Sequence, residues 1–201
     1  DLTTLRANDT AETVAAFVRK VNGLREEYPS YPFPASICVF SNLAHVVAEN
    51  RVSADIHVTA VSACFPTSQS FLPVKELECR MAVRDGADEI DIVLALNAFL
   101  NGEEEVAASE IRSLKAAIDE EAAARGTKVL LKVILETGLL QTEEKIAKAS
   151  FLAMEAGADF IKTSTGKVEV NATPMAARVM CECIRDYYNR TGRRVGFKAA
   201  R

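Results

Sequence analysis

Four polar residues stand in runs that are otherwise apolar: Asp91 in "EIDIVL", Lys132 in "LLKVIL", Lys162 in "DFIKT" and Lys198 in "VGFKAA". A charge inside an apolar strand costs free energy unless something pairs with it or uses it. A single acid and a single lysine read equally well as an interior ion pair that fixes the fold. Several lysines against one acid tilt the balance toward function. Excess buried positive charge is relieved by a charged substrate or by a neutral lysine.

The chemistry open to such a set is nucleophilic. A neutral amine attacks a carbonyl and an ammonium does not. Burial and a neighbouring cation both disfavour the charged form. A lysine brought down toward about 7–8 forms a Schiff base at neutral pH. That group is an electron sink for breaking or making an adjacent carbon–carbon bond. On this reading Lys162 is the nucleophile, Lys198 the cation that lowers its pKa, and Asp91 the carrier of protons, directly or through a water. Pattern alone leaves open which lysine is which. The stretch "TSTGK" (Thr163–Lys167) follows the Lys162 run. Its hydroxyls, the Gly166 amide and Lys167 could bind phosphate or sugar hydroxyls, although a turn of this composition is more often only a turn. The P-loop pattern GxxxxGK[ST] is absent.

The elements that must position these residues alternate between strand and helix. Strand-type runs are expected at Ser36–Phe40, Ile56–Val61, Glu89–Leu94, Val129–Leu135, Asp159–Thr163 and Val195–Lys198, with a short one at Leu2–Leu5. Helical spacing joins Val14, Phe17, Val18 and Val21, and fills 103–124 and 142–156. Asp9 with Glu12 reads as a capping box, Pro73 as a first-turn proline, and Thr173-Pro174 as N-cap and N1. Alternation of this kind implies parallel strands with crossover helices, hence an α/β fold in one domain over residues 1–201.

An internal echo sharpens this. "DGADEIDI" and "AGADFIKT" each run from a helix-ending glycine (Gly86, Gly157) through Ala-Asp into a strand. Their separation fits two strand–helix units of a (β/α)8 TIM barrel. Aligning the echoes sets Asp91 and Lys162 at similar depth. Side chains alternate along a strand, so Ile90, Ile92 and Ile161 face the helices while Asp91 and Lys162 face the interior. Cys38, between Ile37 and Val39, should also face inward.

The chain of 201 residues has a formal net charge of -4, with 49% hydrophobic and 26% charged residues. Such a balance argues against a nucleic-acid or membrane-surface partner, both of which reward a basic face. The five cysteines are odd in number and lack a CxxC pair, so reduced thiols in a cytoplasmic protein are expected, without a zinc site or disulfide framework. His45 and His57 read as surface or packing residues. Glu136 reads either as a substrate-side group or as support for a neighbouring lysine. The acids at 103–105 suit a helix start.

Several stretches, in order, carry a resemblance: "DLTTL", "ICVF", "CFP", "GADEIDIV", "LKVILETG", "GADFIKTSTGKVEVNAT" and "VGFKAA". The chain resembles the deoxyribose-phosphate aldolases, Schiff-base enzymes on a TIM barrel, and the long stretch around Lys162 is the specific one. The resemblance implies reversible cleavage of 2-deoxy-D-ribose 5-phosphate to D-glyceraldehyde 3-phosphate and acetaldehyde, and so a lyase of deoxyribonucleotide and carbohydrate catabolism. It implies Lys162 as the Schiff-base lysine, Lys198 as its pKa-lowering partner and Asp91 as the proton-transferring acid. It places Thr165, Gly166 and Lys167 at the phosphate end of the substrate, and Asp1, Thr3 and Cys38 near the sugar. It implies no metal or organic cofactor, and a homodimer or larger homo-oligomer. In the family the Lys198 stretch continues into a Gly-Gly turn that donates amides to phosphate, whereas here "GFKAA" leads to Arg201. The barrel is therefore expected to lack its last strand–helix unit and to be incomplete at both ends. Ser41 stands where the family usually has proline, and is expected to cap a helix over 42–50. A transaldolase or another sugar-phosphate aldolase would share the local chemistry. A non-enzymatic binding or scaffolding protein fits less well with Asp91, Lys162 and Lys198 retained together.

Overall fold

The computed structural model describes residues 1–200. The elements in chain order are β1 (Leu2–Thr3), α1 (Ala11–Asn22), α2 (Leu24–Glu27), β2 (Ser36–Phe40), α3 (Ala44–Asn50), β3 (His57–Val61), α4 (Leu72–Arg84), β4 (Glu89–Val93), α5 (Leu96–Leu100), α6 (Glu104–Ala124), β5 (Leu130–Ile134), α7 (Thr137–Leu140), α8 (Glu143–Glu155), β6 (Phe160–Lys162), α9 (Pro174–Thr191) and β7 (Gly196–Lys198). The strands form one parallel sheet in the order β1 to β7, curled into a half-barrel.

Period-two alternation divides each strand between two environments. Ile37, Val39, Val58, Ala60, Ile90, Ile92, Leu131, Val133 and Ile161 join the apolar core beneath the helices, and all are essentially fully buried. Each such isoleucine or leucine contributes about 1.5–3 kcal/mol through its burial. The alternate positions bear Ser36, Cys38, Thr59, Glu89, Asp91, Lys132 and Lys162. These are also buried, on the concave side. Register sets their depth. Cys38 pairs with Thr59 and Thr59 with Glu89; one layer up, Asp91 pairs with Lys132; above that, Ile134 pairs with Lys162 and Lys162 with Lys198.

The helix ends show how the strands are delivered. Gly86 and Gly157 have φ of 100° and 114°, so both members of the echo turn from helix to strand through a conformation that favours glycine. Thr173 caps α9, accepting from Ala176 N, with Pro174 next. Two local expectations are corrected. The capping box of α1 is Thr10 with Thr13, because Asp9 spends its carboxylate on the Thr4 hydroxyl (2.8 Å) and the Arg6 amide (2.9 Å). Ser41 does not cap a helix over 42–50. It opens a 3-10 turn, Ser41–Leu43, and its hydroxyl donates to Glu78 at 2.8 Å. No described helix is long and apolar enough to cross a membrane.

Candidate active site

Lys162 is the last residue of β6 and Asp91 the middle residue of β4, with β5 between them. Lys162 Nζ donates to Asp91 Oδ2 at 2.7 Å. Lys132, on the intervening strand, lies 3.0 Å from Asp91 Oδ1, an ionic contact that lacks the alignment of a hydrogen bond. One carboxylate thus bridges two lysines. Asp91 is fully buried, and Lys132 and Lys162 nearly so.

Lys132 is held from below as well. Its Nζ is 2.5 Å from Glu89 Oε2 and 3.7 Å from Asp1 Oδ2. Glu89 also accepts from the Thr59 hydroxyl at 2.7 Å and meets His57 Nδ1 at 2.9 Å. Burial works against charge on both members of the pair. The neighbouring carboxylates of Asp91 and Glu89 nevertheless raise the Lys132 pKa, and Lys132 with its companions lowers that of Glu89. Both remain ionised across the ordinary pH range.

Two effects meet on Lys198. Burial pushes its pKa down to about 8. The Asp1 carboxylate, in contact with the same Nζ, favours the charged form. Cys38 lies among Asp91, Lys162 and Lys132. Burial first, and the Asp91 charge second, push its thiol up to about 12, so it is a neutral, small wall residue. A cavity of about 200 Å³ opens above this group, lined by Asp1, Thr3, Lys162, Ser164, Thr165 and Lys198 among others. Larger grooves, such as the one bordered by Glu104, Arg112 and Lys148, lie among the outer helices, away from this chemistry.

The loop after β6 is fastened to its neighbours. Thr163 N donates to Lys198 O at 3.0 Å, and Ala200 N to the Thr163 hydroxyl at 3.0 Å. Glu136, with φ of 55°, accepts from the Thr165 amide (3.2 Å) and hydroxyl (2.5 Å). It therefore supports the loop, not a lysine. The arrangement sets a primary amine beside a buried carboxylate at the C-terminal ends of parallel strands, the end at which barrel enzymes carry their chemistry.

The family model described as DeoC/LacD family aldolase matches residues 1–193. The chain belongs to the DeoC/LacD aldolase family. It is 39% identical to the human deoxyribose-phosphate aldolase over 210 residues, covering 100% of this chain and 64% of that protein, and matches the Bos taurus enzyme at the same identity. It spans just under two thirds of the length of these curated relatives. Among solved structures, QR15, an aldolase, superposes with a TM-score of 0.81 at 29% identity, covering 99% of this chain and 78% of that one. A tetrameric deoxyribose phosphate aldolase from Aeropyrum pernix superposes with a TM-score of 0.78 at 22% identity, covering 100% and 74%, a likeness of fold.

Within this aldolase-family chain, the residues expected from sequence are not all gathered at the cavity. Asp91, Lys162, Lys198, Asp1, Thr3, Cys38 and Thr165 are at it or against it. Gly166, with φ of 77°, and Lys167 are not among its lining residues, and Lys167 Nζ donates to Leu5 O at 2.8 Å. Sequence reasoning passed over Glu89 and Thr59, and singled out Ser164 only as a turn hydroxyl. Alternation from Asp91 pointed to Glu89, two positions back on the same face. The Ser164 hydroxyl is buried at the cavity wall without a partner among the described residues.

Proposed function

We propose that the chain catalyses reversible aldol cleavage of 2-deoxy-D-ribose 5-phosphate to D-glyceraldehyde 3-phosphate and acetaldehyde, through a Schiff base on Lys162. The observation that carries the reading is the 2.7 Å contact between Lys162 Nζ and Asp91. Asp91 is the nearest acceptor for the proton that the lysine must lose. The neutral amine adds to the aldehyde carbon of the open-chain sugar, and loss of water gives the imine. A base then removes the proton of the β-hydroxyl. The bond between the α and β carbons breaks, its electron pair moves into the imine to give an enamine, and glyceraldehyde 3-phosphate departs. Protonation of the enamine carbon and hydrolysis release acetaldehyde and restore the lysine. Asp91, directly or through a water, serves these proton transfers. The protonated imine is the electron sink, so the scheme uses no metal or organic cofactor.

Lys198 supplies positive charge facing Lys162 and is its electrostatic partner. Asp1, Thr3 and Cys38 border the sugar. Thr165, Gly166 and Lys167, with Ser164, form the phosphate side of the mouth, Lys167 leaving Leu5 O to reach the anion. The parallel strands are read as part of a single (β/α)8 barrel domain that works as a homodimer or larger assembly. The unpaired cysteines suit a reducing cytoplasm.

One observation favours a second assignment. Lys198 is the lysine whose pKa is lowered, to about 8, as a nucleophile's should be. Borohydride reduction in the presence of acetaldehyde, followed by peptide mapping, separates the two. Label on Lys162 together with release of acetaldehyde from the sugar phosphate supports the reading. Label mainly on Lys198, or none, overturns it.

A further inference from the structure

Beneath Asp91 the buried ion pairs continue, away from the cavity. Lys132 touches Asp91 on one side and Glu89 on the other, and Glu89 ends on Thr59 and on His57, whose side chain is 46% exposed. The row invites reading as a proton wire to solvent. The charges argue otherwise. A wire needs Lys132 to yield a proton to Glu89, yet the surroundings hold Lys132 protonated and Glu89 ionised. The row is a fixed electrostatic post.

A post matters because of what the proposed reaction does to Lys162. In the resting site Asp91 is balanced by two cations, one on each oxygen. Once the protonated imine on Lys162 has passed to the enamine, its charge is gone. Lys132 is then the cation left against Asp91, and its contact with Oδ1 holds Oδ2 toward the reacting carbon. Lys132 has a long, flexible stem and could turn wholly to Asp91 or to Asp1, 3.7 Å away. Glu89 prevents this. Its Oε2 draws Lys132 from below, while Thr59 and His57 fix the carboxylate, and the Thr59 hydroxyl also lies 3.3 Å from Lys132.

We propose that Glu89 is a positioning residue for the proton-transfer steps, acting on Asp91 through Lys132, with His57 as its outer anchor. The inference rests on the imine reading above. It separates imine formation, which needs Lys162, from removal of a proton at the carbon next to the imine, which needs a correctly held Asp91.

The test uses acetaldehyde alone. Exchange of its methyl hydrogens in heavy water reports imine formation followed by proton removal, and borohydride trapping reports the imine by itself. In Glu89→Gln, trapping at Lys162 should stay within about twofold of wild type. Methyl exchange should slow by about 10-fold or more, part of the roughly 10²–10⁴-fold that general acid–base catalysis supplies. His57→Ala leaves no buried charge unpaired and removes one anchor, so exchange should slow less, with trapping again unchanged. It carries the test if Glu89→Gln fails to fold. Exchange at the wild-type rate in a folded Glu89→Gln, or, where that variant does not fold, in His57→Ala, overturns the inference. So does a parallel loss of trapping and exchange, which marks general structural damage. Wild-type protein that neither traps nor exchanges would overturn the imine reading itself, a distinguishable outcome.

Discussion

Asp91 and Lys162 come from strands that are not neighbours, yet their side chains meet at 2.7 Å across β5. The strand between them contributes Lys132 to the other oxygen of the same carboxylate. Curling the sheet brings alternate strands together on its concave side, and the stagger of register lifts Lys162 one layer above Lys132. A flat sheet would hold the two residues two strand spacings apart, roughly 10 Å.

Asp91→Asn keeps the shape of this bridge and removes the carboxylate proposed to accept the proton. Turnover of the sugar phosphate should fall by roughly 10²–10⁴-fold. The fold should persist, as checked by an unchanged circular dichroism spectrum. Steady-state kinetics give the answer, and near-wild-type turnover would assign the proton to another group.

A second buried pair lies outside the site and separates stability from catalysis. Lys75 on α4 is 1% exposed, and its Nζ donates to Glu110 Oε1 at 2.7 Å and to Ser68 at 2.9 Å. Removing one partner leaves an uncompensated buried charge, at a cost of about 3–5 kcal/mol, whereas apolar replacement of both is often neutral. Glu110→Leu should therefore be less stable than the double variant Lys75→Met/Glu110→Leu. Urea denaturation of the two decides, and equal stabilities would show that Lys75 finds another partner.

Much of the site was legible because strand alternation is a local rule. Gly-Ala-Asp repeated before two strands gave the inward facing of Asp91 and Lys162, although the register sets Lys162 one layer above Asp91 and not level with it, and the interior position of Cys38 followed from its apolar neighbours. What stayed hidden depended on competition between partners. Nothing local says that Asp9 will serve Thr4 and Arg6 and leave the cap to Thr10, or that Ser41 will choose Glu78. Glu89 begins its strand, where an acid looks like an exposed end. Only the register beside Thr59 and the reach of Lys132 bury it. Lys167 was read by its type, but its direction is set by the Leu5 carbonyl of a distant segment.

The loop after β6 also depends on a close backbone approach. A Cβ on Gly138 would come within 2.0 Å of Val170 O, a backbone atom that cannot swing aside. Gly138→Ala should displace the segment around Val170 and lower stability by about 1–3 kcal/mol, the usual cost of overpacking. The same segment follows Thr165–Lys167, so KM for the sugar phosphate should rise more than kcat falls. Kinetics with the phosphorylated sugar, set beside a thermal melt, test both halves. Unchanged stability would mean that the loop yields without cost.

Lys198 gives a pH dependence whose sign follows from its burial. Its folded pKa is about 8, against 10.5 for an ordinary lysine. Between those values the unfolded chain binds more protons at this site than the folded one. The stability passing through this group therefore rises with pH across that window, and is least below about 8, where the folded protein carries the cost of a buried charge. Lys198→Met has no such group. The stability of wild type relative to Lys198→Met should increase from about pH 7.5 to about pH 10. The same discharge should remove the cation facing Lys162, so the benefit of Lys198 to turnover should fade above about pH 8. Paired melts and rate profiles of the two proteins measure both trends. A stability difference that stays flat would show that the Asp1 carboxylate, against the same Nζ, restores the charge that burial disfavours.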